Sequence, residues 1–551
     1  VPLHYKHFSP SFNQFSTKGF ELLEPLINAC RENDVYLILD MHAAPGAQNT
    51  SDFSDSDGQE ARLFTQYSNQ KWFTSVWRYI AEYYSNEPVI AAYDLLNEPV
   101  LPWGYGPAAL RNLYEWAIDS IRTVDQDHIV IIEGNWYGND HTGLLPPFDD
   151  KMVYSFHHYV GGSTDTSTMY NQYRTDISVQ YNVPLWVGEF GENSNYWGNN
   201  IKSFFERNDI GWSWWNYKSV ERISSLFSYE ITDQYQVLLN YWQGGGSKPD
   251  TIVAFESLLS LANSIKFDSC KVNKDLIRAF TDSTYNTTSI PFTTFSPPGL
   301  LPATDYDSGN NGVSYYDKRS EDPNKFSSDT KSWNNGWSYR NDGVDISSTI
   351  INNEKKYYVG WIEDSEWMKY TIIPEKPGNY KMMIEVASYT NGSSLIVDFE
   401  NGPIVGPITL PNTNGWSNGW RVVTIGNVII SDKTSFRIQA NIGGYNIKNI
   451  IFEDLDVSSI PMILNLNCYP NPANSFINIK WNSDFILSTD VDIYSISGAK
   501  VFSKKLISKK GENQVSWYLK SMDYKSVPSG VYIVKVKTSN ELSIKKITYL
   551  K

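Results

Sequence analysis

Five short apolar runs in the first 280 residues end in polar or ionisable residues: Asp40 and His42, Asn97 and Glu98, Glu133, His157, and Glu189. Two carboxyl groups can cleave a glycosidic bond when one donates a proton and the other attacks or activates water. Glu98 and Glu189 are the best-placed pair. Pro99 directly after Glu98 stops a strand and suits the first turn of a following helix, which would hold the acid at a rim. Glu189 sits between Gly188 and Phe190-Gly191, where small neighbours permit close approach of a ligand. Glu98 could instead be a helix-start acid facing the dipole. Glu133 and Glu192 are rival carboxylates, or solvated loop residues.

The elements that would position these groups are the runs Val35–Met41, Ile90–Leu96, Ile129–Glu133, Met152–His157, Leu185–Glu189 and Ile210–Trp215. Continuous apolar runs suit parallel strands buried on both faces. Helical patterns such as Gly19–Arg31 and Lys71–Tyr84 lie between them. Alternating strands and helices predict an α/β fold with a parallel sheet. Polar residues at successive C-terminal strand ends favour an eight-stranded barrel. A doubly wound sheet is the rival, but no GxGxxG or GxxxxGK[ST] follows any run.

Residues 281–297 are Ser/Thr/Pro-rich and read as a linker. Residues 298–456 carry short alternating strands such as Glu366–Ile372 and Asn379–Ala387, the signature of a β-sandwich. Residues 457–551 hold further alternating strands and read as a second, small β domain. Charge changes sign at that boundary: the last segment has 13 Lys and no Arg against 6 acids, a net of +7, within a chain of −15. The first 456 residues therefore carry −22. An acidic chain of 551 residues argues against nucleic-acid or anionic-membrane partners. No apolar run reaches the ~18–20 residues of a transmembrane helix. Cys30, Cys270 and Cys468 are too few and too far apart for a metal motif or a disulfide framework. The 19 Trp, 37 Tyr and 25 Phe suit the apolar faces and hydroxyl rims of sugars. The chain opens at Val1 with neither Met nor signal peptide, as a mature or truncated gene product would.

DMHAAPGAQN (Asp40–Asn49), YDLLNEP (Tyr93–Pro99), FHHY (Phe156–Tyr159), VGEFG (Val187–Gly191) and WSWWNYK (Trp212–Lys218) occur in order. Together they resemble glycoside hydrolase family 5, the retaining β-glycanase family that includes cellulases. The resemblance implies that Glu98 is the acid/base and Glu189 the nucleophile, with Glu189 charged and Glu98 protonated before reaction. Asn97 would hold the sugar 2-hydroxyl, Tyr159 of the His-x-Tyr motif with His157 would position the nucleophile, His42 would line the donor subsite, and Trp215 would form the stacking floor. His158 is expected to pack nearby. In that family two further strands, the second ending in an Arg, come before this point, and the match here begins at VPLHY. The expectation is an N-terminally truncated, partial (β/α)8 TIM barrel over 1–280 with open edges, its activity in doubt.

PGLLPATDYD, YRNDGVDI, VGWIEDSEWMKYTI, GNYKMMIEVAS, GWSNGW and GGYNIKNIIFED (residues 298–454) resemble carbohydrate-binding module family 6, a jelly-roll β-sandwich. The resemblance implies that Tyr339 and Trp416 sandwich a sugar that Asn446 hydrogen-bonds, with Trp420 as the alternative to Trp416. That family's calcium-binding Glu-Ala-Glu is Pro302-Ala303-Thr304 here, so a structural calcium is weakened or lost; no metal or other cofactor is expected. YPNPANSFINIKW, VDIYSISGAKV, PSGVYIVKVKT and KKITYLK resemble a type 9 secretion C-terminal sorting domain, which implies outer-membrane secretion machinery as a partner and an extracellular or cell-surface location in a Gram-negative bacterium. The combined expectation is a secreted, retaining endo-β-1,4-glucanase. The alternatives are a β-1,3- or mixed-linkage glucanase, or a glycan-binding protein with an inactive barrel.

Overall fold

The six apolar runs and the short segment Pro2–His4 form parallel strands in the computed structural model, which describes residues 1–160, 164–320, 339–351, 354–400, 402–455, 465–483, 487–523, 525–538 and 542–551. They are β1 (Pro2–His4), β2 (Leu37–Ala43), β3 (Ile90–Asp94), β4 (Ile129–Glu133), β5 (Met152–His158), β6 (Leu185–Gly191) and β7 (Gly211–Trp215). The sheet order is β1-β2-β3-β4-β5-β6-β7, without reversal. A doubly wound sheet reverses part way, so this sequential order is that of a partial TIM barrel. Among the described residues β1 pairs only with β2, and β7 only with β6.

Helices fill the connections because their apolar residues recur every three or four positions. Lys18–Glu32 buries Phe20, Leu23, Ile27 and Cys30; Tyr67–Tyr84 buries Phe73, Val76, Trp77, Ile80 and Tyr84. Each such side chain contributes about 1.5–3 kcal/mol through burial. β2 starts two residues later than its apolar run because Val35 and Tyr36 are exposed, and it continues to Ala43. Strand alternation then buries Leu39, Met41 and Ala43 on one face and turns Asp40 and His42 to the other.

The chain divides into two compact units, one built on Val1–Asn273 and the other on the chain from Lys274. In the second unit, two antiparallel sheets sandwich a core that includes Tyr306, Ile346, Tyr370, Ile384, Val397, Phe436 and Ile447. The stretch 281–297, read as a linker, is instead laid against this sandwich. Phe295 packs on its core and Ile290 exchanges backbone hydrogen bonds with Ser308. The Arg278 guanidinium, in the preceding helix Lys274–Thr281, donates to the carbonyls of Thr288 and Ser308. Ser/Thr/Pro composition therefore marks irregular backbone here, held by polar bonds. The boundary expected at 456/457 lies outside the described residues. Beyond it, Trp481, Trp517, Ile493 and Val534 centre a small two-sheet domain. All three cysteines are free thiols. Among the described residues no helix is long and apolar enough to cross a membrane.

Candidate active site

The C-terminal ends of β2 to β6 bring six of the barrel's predicted residues together. Glu98 follows β3 with φ +52°, a left-handed conformation that costs a non-glycine residue roughly 1–2 kcal/mol. Its backbone is fastened on both sides: the amide donates to Glu133 Oε2 at 2.7 Å, and the carbonyl accepts from Asn49 Nδ2 at 2.9 Å. Glu98 Oε1 lies 2.8 Å from His157 Nδ1. Asn97 is buried, with its carbonyl accepting from Gln48 Nε2 at 2.9 Å and its amide donating to the Met41 carbonyl.

Glu189 is held from β5 and β2. The Tyr159 hydroxyl donates to its Oε2 at 2.8 Å, His157 Nδ1 is 3.7 Å from Oε2, and His42 Nε2 is 3.5 Å from Oε1. Burial raises the Glu189 carboxyl from 4.5 to about 7, with His157 and His42 opposing the rise. Burial alone would lower His42, but Asp40 at 2.7 Å and Glu189 hold it above its ordinary value. Gly188 makes room for this cluster: a Cβ there would lie 2.9 Å from His157 Nε2. Single ligand atoms of Glu98, His157 and Glu189 all lie within 4.8 Å of one another. Trp215 stacks on His42 with ring centroids 5.6 Å apart at 15°.

The remaining carboxylates sort by their partners. Glu192 is ion-paired with Arg222. Glu133 is fully buried behind the pair, against His157 Nε2 at 3.2 Å and beside Asp94 and Asp40. Asp94 and the role of Glu133 were not anticipated; the only sequence signal is a charge inside or ending an apolar run. His158 packs as expected, stacked on Trp197, and burial lowers it to about 4.

In the sandwich, Trp361 and Trp416 line a pocket of about 740 Å³, each 44% exposed, with Tyr358 and Asn446. Asn446 is itself buried. Its Oδ1 accepts from the Trp361 amide at 3.2 Å and its Nδ2 donates to the Trp416 carbonyl, so it ties the two tryptophans together. Tyr339 is not in this pocket. Its ring packs on Tyr357 and Phe292, and its hydroxyl donates to Asp305. The second aromatic wall is Trp361, which lies within the motif VGWIEDSEWMKYTI and was not singled out in the sequence. Trp420 lies under Lys448 and edge-on to Tyr358. Pro302-Ala303-Thr304 offers a calcium ion only backbone carbonyls and one hydroxyl. The segment has no carboxylate, and the carbonyls of Ala303 and Thr304 accept from the Tyr370 hydroxyl and the Arg340 guanidinium.

Residues 1–221 match the family model Cellulase (glycosyl hydrolase family 5), 340–450 match Carbohydrate binding module (family 35), and 467–549 match Secretion system C-terminal sorting domain. The module model is thus family 35, where the motifs had pointed to family 6. A Beta-xylosidase of Phanerodontia chrysosporium is 30% identical over 163 residues, covering 29% of this chain and 34% of the relative. Endoglucanase C of Acetivibrio thermocellus is 30% identical over 148 residues, covering 26% of this chain and 40% of the relative. The chain therefore spans 34–40% of the length of these relatives. A crystal structure of a glycoside hydrolase aligns with TM-score 0.35 at 20% identity, over 39% of this chain and 77% of that one. The C-terminal CBM6 of LamC from Zobellia galactanivorans aligns with TM-score 0.17 at 33% identity, over 19% of this chain and 86% of that one. By the family models, residues 1–221 are similar to a glycoside hydrolase family 5 domain, 340–450 to a carbohydrate-binding module and 467–549 to a secretion sorting domain.

Proposed function

We propose that this chain is an exported, retaining β-glucan hydrolase with endo-β-1,4 preference, whose sandwich holds the same polysaccharide. The observation that carries the reading is the approach of Glu98 and Glu189 oxygens within 4.8 Å, with His157 between them. Retaining glycosidases need carboxyl groups about 5–5.5 Å apart, whereas inverting ones leave ~6.5–9.5 Å for a water. Glu189 attacks the anomeric carbon through Oε1, since Tyr159 occupies Oε2. Glu98 gives its proton to the departing oxygen, then takes one from the water that releases the sugar. Asn97 would hold the 2-hydroxyl and Trp215 would floor the site.

In the sandwich, Trp361 and Trp416 would clasp a sugar ring, in place of the Tyr339 and Trp416 that the family 6 resemblance implies. The Cellulase family model and the endoglucanase relatives support an endo-acting, cellulase-like reading. A β-1,3 linkage is the second reading, favoured by a Probable glucan 1,3-beta-glucosidase A of Aspergillus fumigatus, 31% identical over 140 residues. The sorting domain supports passage through the outer-membrane secretion machinery of a Gram-negative bacterium, to the surface or beyond.

The test is reducing-sugar release from β-1,4-, β-1,3- and mixed-linkage glucans and mannans, run beside affinity-gel binding, with NMR of the first product. Release with retained configuration is expected. Binding without release overturns the hydrolase reading in favour of a glycan-binding protein, and an inverted first product overturns the double displacement.

A further inference from the structure

His157 presents both ring nitrogens to carboxylates: Nδ1 is hydrogen-bonded to Glu98 Oε1 at 2.8 Å, and Nε2 stands at ion-pair distance, 3.2 Å, from Glu133 Oε1, which has no other partner among the described residues. A neutral imidazole donates from only one nitrogen. If Nε2 donates to Glu133, Nδ1 and Glu98 must share a second proton for their short contact to be favourable. The other oxygen of Glu133 accepts the Glu98 amide at 2.7 Å. The loop after β4 closes over this pair with Gly138 at φ +83°, where a Cβ would lie 3.0 Å from Glu133 Oε2. Glu133 thus touches the backbone of one catalytic carboxylate and, through His157, its side chain, while lying too deep to meet a substrate.

We propose that Glu133 is a positioning residue for the reaction: it fixes Nε2–H of His157, so that Nδ1 shares one proton with Glu98, and it holds the Glu98 backbone in place. This rests on the reading of Glu98 as acid/base. Before glycosidic cleavage the proton is on Glu98 Oε1 or on Nδ1; it leaves with the departing oxygen, and a proton from water replaces it in the second step. One proton moves each way, and no other bond in the dyad changes. The charged groups facing the dyad are Glu98 and Glu189 at the His157 end, and Asp94 and Asp40 at the Glu133 end, with His42 beyond Asp40. Burial opposes protonation of His157, but Glu133, Glu98 and Glu189 together hold it well above its ordinary value.

The test is a ¹⁵N NMR titration of the His157 ring in the full chain, with kinetics alongside. In the unsubstituted protein the neutral ring at high pH must carry its proton on Nε2; an Nδ1–H tautomer there overturns the proposal without any variant. Glu133→Gln turns an amide NH₂ toward Nε2. It should invert the tautomer and lower the titration midpoint by about one pH unit or more, and Glu133→Asp, which keeps the charge, should recover the midpoint. On a glucan oligosaccharide Glu133→Gln should cut kcat/KM about 100-fold, while an aryl glycoside whose leaving group needs no proton changes less than about threefold. An unmoved His157 midpoint, or equal loss on both substrates, overturns the proposal. If the unsubstituted chain cleaves no glucan, the catalytic reading fails, while the titration still decides the dyad.

Discussion

On the proposed function, the barrel cleft and the sandwich pocket would treat a sugar in opposite ways. In the cleft the groups that matter are ionisable and withdrawn: Glu189 is 8% exposed, and each carboxylate has a neighbour that fixes one of its oxygens. In the pocket they are uncharged and forward, two tryptophans 44% exposed whose backbones are fastened by one buried amide. Bond cleavage requires charge at a fixed point where water cannot screen it. Holding a sugar requires a flat apolar face at the right spacing. The same rule of support therefore produces a buried histidine between acids in one unit and a buried asparagine between tryptophans in the other.

The largest expected effects break the comparison on the cleft side. Glu189→Ala should lower turnover on soluble glucan by ~10,000-fold or more and leave binding to insoluble glucan intact. Glu98→Ala should lose activity on unactivated glucans but retain it on glycosides with a good leaving group. Both are read by steady-state kinetics on paired substrates. Equal loss on both substrates with Glu98→Ala would remove the acid role.

That the cleft was legible and the pocket only half so has a physical cause. A strand buried on both faces must be apolar until its end, so Glu98, His157 and Glu189 stand out against their runs. Six of the seven strands in sequential order follow from the same alternation; Pro2–His4 is too short and too polar to announce itself. Glu133 was visible as a strand-end acid, but its partners come from β3 and β5, and no spacing within its own run announces them. Trp361 and Tyr339 are aromatics on or near strands, where core and surface faces alternate every residue. Nothing local distinguishes the exposed Trp361 from the packed Tyr339, and it is Trp361 that the structure places beside Trp416. The segment 281–297 failed as a linker for a related reason. Composition reports that backbone is irregular, not whether hydroxyls and carbonyls have found partners.

A second break concerns the stability that the cleft forgoes. Burial lifts the Glu189 carboxyl from 4.5 to about 7, so the folded state holds this proton more tightly than the unfolded chain does. The associated stability is complete below the unfolded value and is lost as pH rises through about 7. Glu189→Gln removes the ionisation, so it should raise stability at pH 8 by an amount of order 3 kcal/mol and change little at pH 4. Denaturant unfolding at the two pH values checks this. A gain of equal size at both would mean that packing, not charge, is responsible.

On the pocket side the expected effects are smaller. Trp361→Ala removes one apolar wall and should weaken affinity-gel retention by about 2 kcal/mol, roughly 30-fold, with turnover on soluble substrates unchanged. Trp416→Ala should match it, since the two rings are equally exposed and share the Asn446 tie.

Tyr339→Phe sharpens the contrast by what it leaves alone. The Tyr339 ring is packed between Tyr357 and Phe292, and its hydroxyl serves Asp305, away from the two tryptophans. Phenylalanine keeps the ring contacts and removes the hydroxyl with its hydrogen bonds, at a cost of about 1 kcal/mol to the sandwich. Glycan retention on an affinity gel should therefore match the unsubstituted chain, while the denaturation midpoint falls slightly. If retention drops as far as it does with Trp361→Ala, Tyr339 touches sugar after all, and the pocket extends from the tryptophans to the face where Tyr357 lies. If both retention and midpoint hold, the Asp305 bond contributes nothing, and the packed rings alone keep Tyr339 in place.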